Sequence, residues 1–293
     1  VHDAPVIARN RRELAAALAD TSGTRALVMT MGALHEGHLT LVREARRIAD
    51  HVVVSIFVNP TQFAPGEDYD AYPRTLEADV GKLRSVGVEV VYAPEPEDVY
   101  PVAPLVSIDP GPIAHVLEGA TRPTHLAGVA LVVTKVFGLT RPDVAFFGQK
   151  DAQQLAMVRT LVRDLDLPVR IQAVPIARDT DGVALSSRNR YLSEDERVHA
   201  RALSRALRVG SDAADGGASA SGVLAVAGAV LGDEDGVEVD YVALADPETF
   251  APVEDGAPAG TEAFLLVAAR VGATRLIDNT LVTLGGGSSQ GGE

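Results

Sequence analysis

The sequence contains no cysteine and no tryptophan, and aromatic residues make up only 4% of it. Without cysteine there are no disulfides, no thiolate metal ligands and no cysteine nucleophile, and the usual argument for a secreted scaffold is missing. Scarce aromatics leave little material for stacking nucleobases. Although 46% of the residues are hydrophobic, no apolar run approaches the roughly 20 residues that span a bilayer. No signal-peptide pattern is visible either, so a soluble, cytoplasmic protein is expected. Basic residues are the minority, with 26 Lys and Arg against 40 Asp and Glu and a net charge of -14. Such a surface repels nucleic acid and anionic membrane, and neither is expected as a partner. A local basic pocket for a small anion remains compatible with it.

At 293 residues, the length predicts one large domain and a smaller one. The first half alternates helical patterns with short apolar runs at 25–30, 51–58, 88–93, 142–147 and 169–174. These runs do not alternate with polar residues, so they read as parallel strands buried on both faces. Helices are predicted at 37–49, at 75–86 ending before Gly87, at 126–139 and at 151–165 before Pro168, with another starting at Asn10, where Glu13 suits a capping interaction. This rhythm predicts an α/β class: a doubly wound parallel-sheet, Rossmann-like domain over 1–176. From 177 to 293 the pattern changes to a smaller α+β domain. It holds a turn at Arg178–Gly182, a helix over 193–209 entered through Ser193 and Glu196, and a flexible stretch over 211–222. A further helix and strands at 237–244 and 262–269 follow. The glycine-rich tail 285–293 is expected to be disordered. No internal repeat is visible.

In an open parallel sheet the turns leaving the carboxyl ends of the strands share one edge, where ligands bind. Four polar clusters follow predicted strands: MGALHEGH (31–38), Asn59-Pro60-Thr61-Gln62, Gly148-Gln149-Lys150-Asp151, and 177–190. His35 and His38 invite a zinc reading, but their spacing without cysteine or an evident third ligand is poor support for one. Phosphate fits better, because Gly32 and Gly37 allow close backbone approach and the following helix offers free N–H groups and a positive dipole end. A plain glycine turn is the bland alternative, weakened by the later clusters. Lys150 has the charge to reach phosphate, and Asp151 can accept from ribose hydroxyls; a solvated surface pair is the competing reading. Gln154, three residues past Asp151, shares its helix face, and Gln62 offers a second neutral amide. Ser186, Ser187 and Arg188 supply hydroxyls and a guanidinium fork suited to polyphosphate, or else a polar capping loop. Neither a Walker A sequence nor a GxGxxG turn after the first strand is present.

Taken together, MGALHEGH, FVNPTQF, DYDAYPRT, RPTHLAG, FFGQKDAQQL and SSRNRYL resemble the pantoate-beta-alanine ligase family of the HxGH nucleotidylyltransferase group, in order over residues 5–280. The resemblance implies ATP, pantoate and beta-alanine as substrates, magnesium as cofactor, a pantoyl adenylate intermediate with release of pyrophosphate and then AMP, and a homodimer. It implies ATP binding at Met31, Gly32, Ala33, Leu34, His35, Glu36, Gly37 and His38, at Gly148, Gln149, Lys150 and Asp151, at Ala177, and at Leu185, Ser186, Ser187 and Arg188. Of these, His38 matches the proton donor, and His35, Lys150, Ser186, Ser187 and Arg188 serve the phosphates. Gln62 and Gln154 match the pair that holds pantoate. Asp79 matches a magnesium-associated acidic cluster in which Ala78 replaces an acidic residue of some members. Met29 and Leu185 stand where the family commonly has proline and methionine. Residues 177–293 are expected to act as a lid that keeps water from a mixed anhydride. A nucleotidylyltransferase that stops after AMP transfer and a nucleotide-binding regulatory protein are the competing classes.

Overall fold

The computed structural model describes residues 4–19 and 21–285. Contacts divide it into two compact units, one running to Gln149 and resuming at Gln153–Ala177, the other comprising Lys150–Ala152 and the described residues from Arg178 on.

The first unit carries β1 (Val6–Ala8), α1 (Arg11–Leu18), β2 (Arg25–Thr30), α2 (Glu36–Ile48), β3 (His51–Ile56), α3 (Leu76–Ser85) and β4 (Val90–Tyr92). It continues with α4 (Pro96–Val99), α5 (Glu118–Thr121), α6 (His125–Thr140), β5 (Val144–Gly148), α7 (Ala152–Asp164) and β6 (Arg170–Val174). Its strands form a parallel sheet in the order β1-β4-β3-β2-β5-β6. The valine-rich runs are buried as expected: Ala26, Val28, Val52, Val54, Val144 and Phe146 share one core with Leu39, Val42 and Ala45 of α2. Asn10 caps α1 by accepting from the Glu13 amide at 2.9 Å. From β2 the chain winds outward through β3 and β4, then returns to place β5 on the other side of β2. The topological switch point therefore lies between β2 and β5, which is where an open sheet binds ligands.

The second unit holds α8 (Glu194–Asp215), α9 (Ala220–Gly232) and an antiparallel sheet of β7 (Val237–Ala245), β8 (Thr261–Val271) and β9 (Thr274–Leu284) in that order. Its core unites Leu203 and Leu207 of α8, Val223 and Leu231 of α9, and Leu265, Val267 and Val282 of the sheet. The Ser193 and Glu196 capping box at the start of α8 is present.

Two expectations need correcting. The stretch 211–222 is not an open linker: α8 continues through Asp215, with Ala214 buried, and Ser219 caps α9 through the Gly222 amide. Gly210 holds that last part of α8 close to the sheet, since a Cβ there would lie 2.4 Å from Leu265 Cδ2. Two strands, β1 and β9, are additional to those predicted. The expected tail disorder over 285–293 falls, apart from Gly285, outside the described residues. No described helix is long and apolar enough to cross a membrane.

Candidate active site

The turn after β2 is built by committing its own polar groups. Thr30 Oγ1 donates to the Ser55 carbonyl at 2.9 Å and accepts from the Gly32 amide at 3.3 Å. Gly32 has φ +86°, and a Cβ there would lie 3.2 Å from Ile56 Cγ2 and 3.3 Å from Asp79 Oδ2. Glycine thus satisfies both the conformation and the space. Ala33 follows with φ +51°, a conformation that costs a non-glycine residue energy and needs outside support. The support is Asp79 of α3, fully buried, which accepts from the Ala33 amide through Oδ2 at 2.9 Å and from the Leu34 amide through Oδ1 at 2.8 Å. Thr75 Oγ1 donates to the same Oδ2 at 3.0 Å. One turn further along α3, Lys82 Nζ donates to the Leu34 carbonyl at 2.5 Å.

This geometry bears on whether Asp79 suits a magnesium ion. Both Asp79 oxygens face loop donors at 0% exposure, and among the described residues no group of three or more His, Cys, Asp or Glu could hold a metal ion. Asp79 therefore does not fit as a magnesium ligand; it anchors the turn. It also narrows what the turn offers to phosphate. Ala33 and Leu34 are buried, with their amides taken by Asp79. The amides of Glu36 and Gly37, at the first positions of α2, have no acceptor within the helix and sit at its positive end.

His35 caps α2 with extended backbone. Its N–H donates to His38 Nδ1 at 3.3 Å, and the two rings lie 4.0 Å apart. Because Nδ1 accepts a backbone proton, the neutral ring carries its own proton on Nε2. His38 is thereby fixed as an Nε2–H donor.

The turn after β3 presents Gln62, 7% exposed. Its Oε1 accepts from Asn59 Nδ2 at 3.1 Å, and its Nε2 faces Met31 Sδ at 3.3 Å. A thioether is a weak acceptor, so a ligand carboxylate or hydroxyl is a better partner for that amide. Asn59 is locked in turn by Tyr100 Oη, which donates to Oδ1 at 2.9 Å, and by the Gly128 carbonyl, 3.1 Å from Nδ2. Arg122 and His125 fasten the backbone: the Gln62 carbonyl lies 3.4 Å from an Arg122 nitrogen and 3.2 Å from His125 Nδ1. Arg122 also grips Glu67 through bonds of 2.8 and 2.7 Å. Burial pushes the Glu67 carboxyl up, but the Arg122 guanidinium outweighs it and holds that carboxyl below the usual range. On α7 the neighbours Gln153 and Gln154 differ. Gln153 is spent on the Glu118 amide and the Ile113 and Val116 carbonyls, whereas Gln154 is only half-buried.

Of the second unit's candidates, Lys150 is paired loosely with the exposed Asp151 at 3.9 Å. Ser186 caps the short 3-10 turn Ser187–Tyr191 by accepting from the Arg188 amide at 3.3 Å. Ser186, Ser187 and Arg188 are all half-buried, as are Ala177 and Leu185. Sequence reasoning missed two residues of this unit, Asp278 and Asn279, which stand side by side in β9 at 3% and 1% exposure. The strand reads TRLIDNTLVTL, so two more polar residues among its threonines and arginine gave no distinct signal.

Comparison with known proteins gives a consistent result. The family model described as pantoate-beta-alanine ligase matches residues 6–281. The pantothenate synthetase of Nocardia farcinica is 54% identical over 285 residues, covering 97% of this chain and 86% of that protein. The crystal structure of pantothenate synthetase from Thermus thermophilus superposes with a TM-score of 0.88 at 46% identity, covering 94% of this chain and 98% of the other. The pantoate-beta-alanine ligase of Francisella tularensis, crystallised with beta-gamma ATP and beta-alanine, superposes with a TM-score of 0.79 at 32% identity, covering 95% and 98%.

Proposed function

The chain belongs to the pantoate-beta-alanine ligase family, and from that premise we propose how its residues divide the work. It is an ATP-dependent ligase that condenses pantoate with beta-alanine to pantothenate. In the first half-reaction a pantoate carboxylate oxygen bonds to the α-phosphorus of ATP as the bond to pyrophosphate breaks. In the second, the beta-alanine amine bonds to the acyl carbon, AMP departs with the bridging oxygen, and the amine gives up a proton.

Negative charge grows around the α-phosphorus and on the departing oxygen, so donors fixed in advance lower the barrier. His38 supplies an Nε2–H, and the Glu36 and Gly37 amides supply the positive end of α2. Lys150, Ser186, Ser187 and Arg188 act on the phosphates, with Gly148, Gln149, Asp151, Ala177 and Leu185 completing the nucleotide contacts through backbone or ribose. Gln62 and Gln154 hold pantoate. Neutral amides suit that task, because a tight ion pair would reduce the carboxylate's nucleophilicity. Magnesium accompanies the ATP phosphates in this reading, with no protein ligand assigned. Domain roles follow the same proposal: residues 1–176 bind nucleotide and pantoate, and 177–293 form the closing lid. The active form is taken as a cytoplasmic homodimer, on the family resemblance.

The observation that carries the chemical reading is the His35 amide on His38 Nδ1, which leaves a defined donor at a helix start beside the switch point. The test supplies ATP and magnesium to the purified protein, adds pantoate first, and adds beta-alanine second. Pyrophosphate release requiring pantoate, followed by AMP and pantothenate only after the amine, is the expected result. AMP transfer without amine dependence would make it a nucleotidylyltransferase, and ATP binding without pyrophosphate release would make it a noncatalytic binder.

A further inference from the structure

Resting on that reading, we propose that Asp278 and Asn279 are a positioning pair that sets the nucleotide-binding segments of the second unit without touching substrate. They are adjacent on β9, so their side chains leave opposite faces of the sheet. On one face Asp278 lies opposite Val267, which belongs to the apolar core of α8 and α9. A carboxylate there needs a partner, and it has Arg178: the two guanidinium nitrogens donate at 2.5 and 2.9 Å, while the Asn279 amide adds a bond of 2.8 Å. Arg178 donates onward to the Gly182 carbonyl at 3.1 Å, so the guanidinium braces the inside of the hairpin closed by the Arg178–Ala184 bridge. That hairpin begins one residue after Ala177 and ends one residue before Leu185. On the other face, Asn279 Nδ2 donates to the Lys150 carbonyl at 2.9 Å. One dipeptide thus fixes the chain beside Ala177, the entry to Leu185–Arg188, and the backbone of Lys150.

Buried polar groups in mid-strand cost stability unless fully bonded. An apolar pair would complete the sheet as well, but it would leave the hairpin and the Lys150 backbone unregistered. Phosphate contacts are sensitive to placement, because a displacement of about 1 Å at a reacting group can cost on the order of a hundredfold in rate.

The test compares Asn279→Asp, Asp278→Asn and Arg178→Lys with the wild type in pantoate-dependent pyrophosphate release, varying ATP and pantoate separately. Asn279→Asp keeps the shape but turns the donor into an acceptor facing the Lys150 carbonyl. Arg178→Lys keeps the charge but cannot bridge Asp278 and Gly182 together. Each variant is expected to raise KM for ATP and lower kcat by about tenfold or more, with KM for pantoate within about twofold and circular dichroism unchanged. Equal rises in both KM values, or no change in either, overturn the proposal. So does loss of fold in all three, which would mark the pair as structural only. Wild-type protein without pantoate-dependent pyrophosphate release would instead overturn the functional reading itself.

Discussion

Asp79 accepts the Ala33 amide at 2.9 Å across 46 residues of sequence, and in doing so holds a non-glycine residue in the left-handed region. The same carboxylate takes the Leu34 amide, so removing its charge loosens the segment that leads into His35. Asp79→Asn keeps the size but replaces one acceptor oxygen with a donor aimed at an amide. A loss of about 2–4 kcal/mol in stability is expected, with a large fall in turnover. Added magnesium discriminates the roles. An anchor predicts that the variant's activity does not recover as magnesium is raised well above the ATP concentration. Recovery would restore Asp79 as a metal ligand.

Gln62 is poised by Asn59 on one side of its amide and, among the described residues, faces the Met31 thioether on the other. Gln62→Leu removes the donor a pantoate oxygen needs while preserving most of the volume. KM for pantoate should rise by about tenfold to a hundredfold, with KM for ATP nearly unchanged. Initial-rate kinetics with each substrate varied separately checks this; parallel changes in both constants would assign Gln62 to the fold.

How far the sequence revealed this arrangement differs from element to element. The strands at the centre of the parallel sheet were legible because burial on both faces demands continuous apolar runs, as in Val52–Val54. β1 was not, since three residues, of which Val6 and Ile7 are exposed, carry no period. β9 was hidden by Asp278 and Asn279, residue types that signal turns; only their partners, about 100 and 129 positions away, explain them inside a strand. The candidate site shows the same division. Short motifs exposed His35, His38 and Gln62, but a motif cannot show that Asp79 spends its charge on backbone amides, or that Arg122 and His125 serve the Gln62 carbonyl.

The Arg122–Glu67 pair gives a pH-dependent prediction. Glu67 has its carboxyl held below the usual range by Arg122 despite the opposing effect of burial. Its contribution is therefore fully present above the unfolded carboxylate's pKa and is lost as pH falls through the lower folded value. Glu67→Gln should be less stable than the wild type by about 1 kcal/mol near neutrality. Thermal melts of both proteins should converge as the solution is acidified below about pH 4. A gap that persists unchanged into acid would mean that packing, not charge, stabilises the turn.

His38 has two separable duties, and two isosteric changes assign them to its two nitrogens. Nδ1 accepts the His35 amide and closes the start of α2, whereas Nε2–H is the donor proposed for the phosphate chemistry. Asparagine can place its Oδ1 where Nδ1 lies but reaches no further, so His38→Asn keeps the cap and loses the donor. Glutamine reaches the Nε2 position without reproducing the cap. His38→Asn is thus expected to melt within a few degrees of the wild type while pantoate-dependent pyrophosphate release falls by about 10²–10⁴. His38→Gln should give up about 1 kcal/mol of stability with the cap yet retain more activity than the asparagine variant. Should asparagine prove the more active of the two, the cap at Nδ1 would be the contribution that matters, and proton donation would have to come from another group.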